Sequence, residues 1–500
     1  MAKTPMTSLL LLVLITACGP ASDQGGSTPD AVAQDGSPAG DVTPPPVLCD
    51  VEQTLGDLRL RTDGRLLRDG LGREVLLRGV NTGGRSKFQP FFPFPFESNT
   101  FDEALETYLL RASSWGLNVL RLPFTWEALE PIRGRIDEVW LARYVQMIDA
   151  AGAMGLRVIV DFHQDVFARP FCGDGFPLWA IEAPEVPPPE DCTHWFIGYG
   201  GNAGVRRNFD RLWANEDGLR DDFEAMWRVM VRATRDAPNV IGYEIINEPG
   251  AGTADPQDWA SDTLTPFYER LAAVIRSESD EALIFVDSTG TEALFAETSL
   301  RRPAIEHGLV FAPHFYVPSV ILTGRWDGMT QPGPALARWD EVGAAWGVPV
   351  LLGEYGIRPE AEGASAYIAA HYAAMDTVAM HGTLWEYSAT TDDWNDEGMS
   401  LVDGLGREGA TVASLVRPYP AAVAGTVAAF DYDPETRVFK LDFEATPDGV
   451  TEVVLPSRLY ASEGADAADV TIEGGCAVAT PGRLFVRHTG GPAHLVVRPR

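Results

Sequence analysis

Between residues 75 and 387 the chain alternates short runs of apolar and β-branched residues with longer stretches whose apolar positions recur every three or four residues. Eight runs can be counted: Val75–Asn81, Leu117–Pro123, Leu156–His163, Val240–Asn247, Ala282–Asp287, Leu309–His314, Val348–Glu354 and Gly382–Tyr387. The segments between them have helical spacing, as in Phe223-Glu-Ala-Met-Trp-Arg-Val-Met-Val. Repetition of strand and amphipathic helix is the signature of βα units on a parallel sheet. Eight units predict an α/β fold, a (β/α)8 TIM barrel. An open doubly wound sheet is the competing arrangement, but no run leads into the Gly-x-Gly-x-x-Gly turn that holds a dinucleotide phosphate.

The pattern changes on both sides of this region. Leu58-Arg-Leu-Arg and Leu66-Leu-Arg flank Asp63-Gly64, a hairpin signal placed before the first barrel run. After Pro418 come short alternating stretches such as Val438-Phe-Lys-Leu-Asp-Phe, Val450-Thr-Glu-Val-Val-Leu and Leu484-Phe-Val-Arg, which predict a small antiparallel β-sandwich. Residues 19–47, rich in Ser, Asp, Gly, Ala and Pro, have too few large apolar residues to offset the entropy of ordering and read as a flexible tether. Before them, Lys3, the apolar stretch Leu9–Ile15 and Ile15-Thr-Ala-Cys18 resemble a bacterial lipoprotein signal, with cleavage before Cys18 and lipidation of its thiol. The expected organisation is a signal peptide over 1–17, a tether over 18–48, a barrel with its N-terminal hairpin over 49–417 and a sandwich over 418–500. An exported lipoprotein is implied, and Gly19 after the cysteine favours the outer membrane by resemblance to sorting rules. An ordinary secretory signal is the alternative.

Net charge narrows the partners. The formal charge of −32, from 71 acidic and 39 basic residues, disfavours nucleic acid and anionic lipid headgroups. Membrane association is therefore assigned to the N-terminal acyl anchor, and a monomer is expected. Of the five cysteines, Cys49, Cys172, Cys192 and Cys476 remain once Cys18 is set aside. Four cysteines allow three connectivities in an oxidising compartment. Cys172 and Cys192 bracket one Pro-rich loop and are paired here, which leaves Cys49 for Cys476.

Active sites of TIM barrels lie at the C-terminal ends of the strands. Polar residues end most of the runs: Arg121 on the second, His163 and Asp165 on the third, Asn247 and Glu248 on the fourth, His314 and Tyr316 on the sixth, Glu354 on the seventh and Trp385 on the eighth. Each alone has an ordinary structural reading, but their shared placement points to one site. Two carboxylates facing across a barrel mouth suit glycosidic cleavage, one protonating the leaving oxygen and the other attacking the anomeric carbon. With Ile-Ile-Asn-Glu248-Pro after strand four and Leu-Leu-Gly-Glu354-Tyr after strand seven, the chain resembles retaining glycoside hydrolases of family 5. That resemblance implies Glu248 as acid/base and Glu354 as nucleophile. It also implies that Arg121 and Tyr316 aim Glu354, Asn247 meets the sugar 2-hydroxyl, His163 and His314 line the site, and Trp385 floors it. No metal or organic cofactor is implied.

Within that family the likeness is to endoglycoceramidases, which release glycans from ceramide. Asp161-Phe-His-Gln-Asp-Val-Phe carries it, with Trp195-Phe-Ile-Gly-Tyr, Asn208-Phe-Asp-Arg-Leu-Trp and Val416-Arg-Pro-Tyr-Pro-Ala-Ala-Val-Ala-Gly. The resemblance makes Lys87 and Asp165 contacts to the first sugar and a glycolipid the substrate. A simple lipid glucoside, a β-glucan, and a non-catalytic glycan-binding lipoprotein are the competing readings. Phe88-Gln-Pro-Phe-Phe-Pro-Phe-Pro-Phe could wall an apolar groove, with Phe171, Phe176 and Trp179 opposite, or could pack against its own barrel.

Overall fold

A computed structural model describes residues 51, 57–97, 99–183, 191–390, 392–460 and 468–500. Cys18, the tether and Cys49 lie outside the described residues. Eight parallel strands make one sheet: Arg78–Asn81, Val119–Phe124, Arg157–Phe162, Val240–Glu244, Leu283–Val286, Leu309–Phe311, Leu351–Leu352 and His381–Leu384, numbered one to eight below. Strand eight pairs with strand one, and a parallel bridge between Phe311 and Val350 joins six to seven, so the sheet closes into the expected barrel.

The helices bury the faces that their spacing predicts. Leu219–Thr234 turns Phe223, Met226, Trp227, Met230 and Val231 onto the strands. Glu138–Ala153 starts at Asp137, whose carboxylate accepts from the Val139 and Trp140 amides, a cap worth about 1 kcal/mol.

Most observed strands stop short of the predicted runs, and the polar residues that ended those runs lie just beyond the sheet. Pro313 shows one cause: it has no N–H to give, so strand six ends at Phe311, while the Pro313 carbonyl still accepts from the Gly353 amide at 2.9 Å. The first run divides in two. Glu74–Val75 leaves the barrel and pairs with Val423 and Ala422, and only Arg78–Asn81 enters the ring.

That division corrects the placement of the hairpin, which was expected with the barrel. Arg61–Asp63, Leu66–Arg68 and Glu74–Val75 form the edge of a seven-stranded sheet completed by Tyr419–Val423, Val450–Val454, Arg483–His488 and Gly475–Thr480. Leu60, Leu67, Val75 and Leu77 cluster with Val119, Ile159, Ile241, Leu283 and Leu351 from the barrel strands. The hairpin supplies the apolar floor that the ring requires at its N-terminal end. Facing this sheet, Gly425–Asp433, Val438–Ala445, Gly491–Pro499 and Ala468–Ile472 form a four-stranded antiparallel sheet, as the alternating pattern predicts. Phe439, Leu441 and Phe443 point inward from alternate positions and share a core with Val453, Leu484 and Val486.

Cys172 and Cys192 are bonded, with Cα atoms 5.5 Å apart. Cys476 is also disulfide-bonded, and Cys49, its expected partner, is outside the described residues.

Candidate active site

Arg121, inside strand two, is fully buried and uses all five N–H donors. Nε and Nη2 reach the two oxygens of Glu244 at 2.8 and 2.7 Å, Nη1 reaches Asn81 at 2.8 Å and Glu354 at 2.7 Å, and Nη2 also reaches Asn247 at 2.8 Å. Asp161 stands 3.2 Å from Nη2. Burial works against this guanidinium, but Asp161 and Glu244 outweigh it and hold it charged. Tyr316 donates to the other oxygen of Glu354 at 3.0 Å. The strand-seven carboxylate is thus gripped from two sides, as an attacking group must be to keep one direction.

Glu248 is held differently. His314 Nδ1 lies 2.9 Å from its Oε1, and burial with the nearby Asp165 charge pushes its carboxyl up to about 7. Burial pushes His314 down to about 4, so the ring is neutral at pH 7. One oxygen of Glu248, one of Glu354 and a His314 ring nitrogen all lie within 4.8 Å of one another. Retaining glycosidases hold their carboxyl groups about 5–5.5 Å apart, whereas inverting ones need about 6.5–9.5 Å. The spacing fits direct attack by a carboxylate.

Lys87, Asp165 and Trp385 come together beside this pair. Lys87 Nζ is 2.6 Å from Asp165 and sits 4.5 Å from the Trp385 ring and 3.8 Å from Trp394. His163 bonds Asp161 at 2.8 Å, and its ring stacks on Trp385 with centroids 5.2 Å apart. Burial disfavours charge on His163, but Asp161 and Asp165 overcome it and raise the ring to about 10. Gly83 permits the Trp385 position, because a Cβ there would lie 2.3 Å from the indole.

All ten candidates for catalysis and substrate binding, Lys87, Arg121, His163, Asp165, Asn247, Glu248, His314, Tyr316, Glu354 and Trp385, therefore meet at one mouth. The sequence reading passed over others that hold them. Gln164 donates to the carbonyls of Asn247 and Glu248 at 2.8 and 3.0 Å, and Asp287 accepts from the Glu248 amide at 2.9 Å. Glu397 accepts from Trp385 Nε1 at 3.2 Å and lies 3.6 Å from Lys87. Asp161 and Glu244 carried a readable signal, an acid inside an otherwise apolar strand, and Asp287 ended the fifth run as visibly as its counterparts.

Three His and carboxylate groups bring ligand-type atoms together: His163 with Asp165 and Asp174, Glu244 with Asp287 and His314, and Glu248 with His314 and Glu354. The chain's own cations already serve them, Lys87 at Asp165 and Arg121 at Glu244 and Glu354.

The mouth opens into a cleft of about 610 Å³. Its polar part holds Lys87, Asp165 and Glu397, while Leu294, Val320, Ile321 and Leu322 line it from the loops after strands five and six. The aromatic loop expected to wall a groove does something else. Phe92 and Phe94 are buried among Phe101, Tyr108 and Trp140, and Phe171 and Phe176 are buried as well. Trp195 and Phe196, carried on the segment that Cys192 ties to Cys172, reach the cleft instead.

A closed βα barrel with two buried carboxylates just after strands four and seven defines a glycosidase with carboxylate chemistry. Residues 72–391 match the family model for cellulase (glycosyl hydrolase family 5), and residues 417–497 match the glycoside hydrolase family 5 C-terminal domain. The chain belongs to glycoside hydrolase family 5. It is 28% identical to endoglycoceramidase I of Rhodococcus hoagii over 85% of each chain, and 26% identical to an endoglycoceramidase of Hydra vulgaris over 81% of this chain and 82% of that one. The solved structure of endo-glycoceramidase II from Rhodococcus sp., in complex with ganglioside GM3, superposes with a TM-score of 0.74 at 24% identity, covering 88% of this chain and all of that one.

Proposed function

We propose that this glycoside hydrolase cleaves the β-glycosidic bond between glycan and ceramide in glycosphingolipids by double displacement. Glu354 attacks the anomeric carbon and Glu248 gives its proton to the leaving oxygen. Water then enters, Glu248 takes its proton, and the glycan leaves with its configuration retained. Arg121 and Tyr316 hold and aim Glu354, Asn247 meets the 2-hydroxyl, and His163 and Trp385 bound the reactive ring. Lys87 and Asp165 hold the first sugar's remaining hydroxyls.

The observation that carries the substrate class is the two-natured cleft. Lys87 follows strand one, whereas Leu294, Val320, Ile321 and Leu322 follow strands five and six, across the ring. A sugar needs the first surface and an alkyl chain the second. Leu322, 76% exposed, extends this apolar wall to the rim of the cleft, where an alkyl chain could lie against it. The kinship with endoglycoceramidases agrees with this reading. The lipobox ending at Cys18 and the tether after it support an enzyme anchored by its acyl chain and free to turn at a membrane.

The test compares kcat/KM on lactosylceramide with that on a lactoside of a short soluble alcohol. Covering three methylenes on the apolar wall is worth about 2.4 kcal/mol, roughly fifty-fold in favour of the lipid. Leu322→Asp should erode that preference and leave the soluble substrate unaffected. Equal specificity constants would defeat the ceramide reading, and turnover of glucosylceramide with none of lactosylceramide would favour the simple glucoside.

A pH dependence follows from Glu248. Its carboxyl, raised to about 7, is protonated and competent as an acid below that pH and loses its proton above it. The kcat/KM for an unactivated glycoside is therefore expected to fall as pH rises through about 7, whereas a plateau extending to pH 9 would assign the proton elsewhere.

A further inference from the structure

We infer that Asp287 is a positioning residue for proton transfer, fixing the main chain of Glu248 directly and its carboxyl through His314. The inference rests on reading Glu248 as the acid/base. Asp287 directly follows strand five and is 1% exposed. Its Oδ2 accepts from the Glu248 amide at 2.9 Å and its Oδ1 from the Ser288 amide at 2.6 Å. The same Oδ2 stands 3.5 Å from His314 Nε2, a buried ring nitrogen that makes no hydrogen bond. The other nitrogen of that ring is the one bonded to Glu248 Oε1.

These contacts act on a residue that needs them. Glu248 has φ +36°, in the left-handed region that non-glycine residues enter at a cost of order 1–3 kcal/mol. Gln164 grips the carbonyl of that residue and Asp287 grips its amide, so the strained peptide is pinned at both ends. The Tyr268 hydroxyl in turn donates to the Asp287 carbonyl at 2.9 Å. A group beside one imidazole nitrogen influences which of the two carries the hydrogen. Asp287 thereby acts on the bond His314 makes to Oε1 and leaves Oε2 free above Gly290, where a Cβ would come within 2.6 Å of it. An amide cannot replace this carboxyl. Both oxygens accept a main-chain N–H, so either orientation of an asparagine would set its NH2 against one of them.

The experiment measures kcat/KM, which reports the first chemical step, on lactosylceramide and on 2,4-dinitrophenyl lactoside, whose leaving group departs with little help from an acid. Sites are counted by trapping with a 2-deoxy-2-fluoroglycosyl fluoride, so that any unfolded fraction drops out. Asp287→Asn and, as a second variant, Asp287→Ala are expected to lose about 100-fold on the unactivated substrate and less than about five-fold on the activated one. An equal loss on both substrates, or no loss on either, overturns the inference while Glu248→Gln run alongside still discriminates between them. If Glu248→Gln does not discriminate, the acid/base reading fails first, and the inference with it.

Discussion

Glu354→Gln is expected to abolish turnover, by about 10⁴-fold or more, while the protein remains folded. The amide is nearly the same size but cannot attack the anomeric carbon. Stability should be unchanged or slightly higher. Asp161, Glu244 and Glu354 crowd around the single guanidinium of Arg121, and removing one of three negative charges relieves repulsion without leaving that cation unpaired. Steady-state kinetics and a thermal melt decide the matter together. Retained turnover would remove Glu354 from the nucleophile role, and a melting point lowered by many degrees would make it a structural carboxylate.

The opposite balance holds for Arg121→Met. Here the cation goes and three buried carboxylates stay, two of them fully inaccessible to water. Breaking a buried pair by removing one partner costs about 3–5 kcal/mol, because the remaining charge is uncompensated. Five hydrogen bonds disappear with it, including those to Asn81 and Asn247. Urea denaturation is expected to show a loss of at least that size. Arg121→Lys restores the charge but not the five-pronged fork, so it should recover part of the stability and little of the activity. A methionine variant as stable as the parent would mean that Glu244, which burial already raises to about 7, takes up a proton in place of the lost cation.

The barrel could be read from its eight runs because a strand buried on both faces must be apolar, and the helices that cover it must be amphipathic. Residues at the ends of those runs could be read as a site because a strand has no other reason to finish on Glu, His or Arg so often. Periodicity does not show what an apolar segment packs against. Val75 and Leu77 belong to one hydrophobic run, yet Val75 pairs with Ala422 in the other sheet and the barrel strand begins only at Arg78. The Pro-spaced phenylalanines were ambiguous for the same reason. Their rings turn toward Phe101 and Trp140, which no pattern within residues 88–96 reveals. Gln164 went unread because its work is done on the backbone of Glu248, and a hydrogen bond to main chain leaves no trace in residue type, whereas Asp287 stood at the end of a run like the residues that were read.

The hairpin beneath the barrel is laced to strands far along the chain: Arg68 reaches the carbonyl of Gly425, 357 positions away, and Arg73 that of Val450, 377 away. A ribosome must therefore release nearly all of this sequence before the floor of the ring acquires the sheet that backs it. Until then Val75 lacks its partner Ala422, and contacts so distant in sequence are slow to form. Cutting away the last eighty residues should thus silence an enzyme whose cleft they never touch.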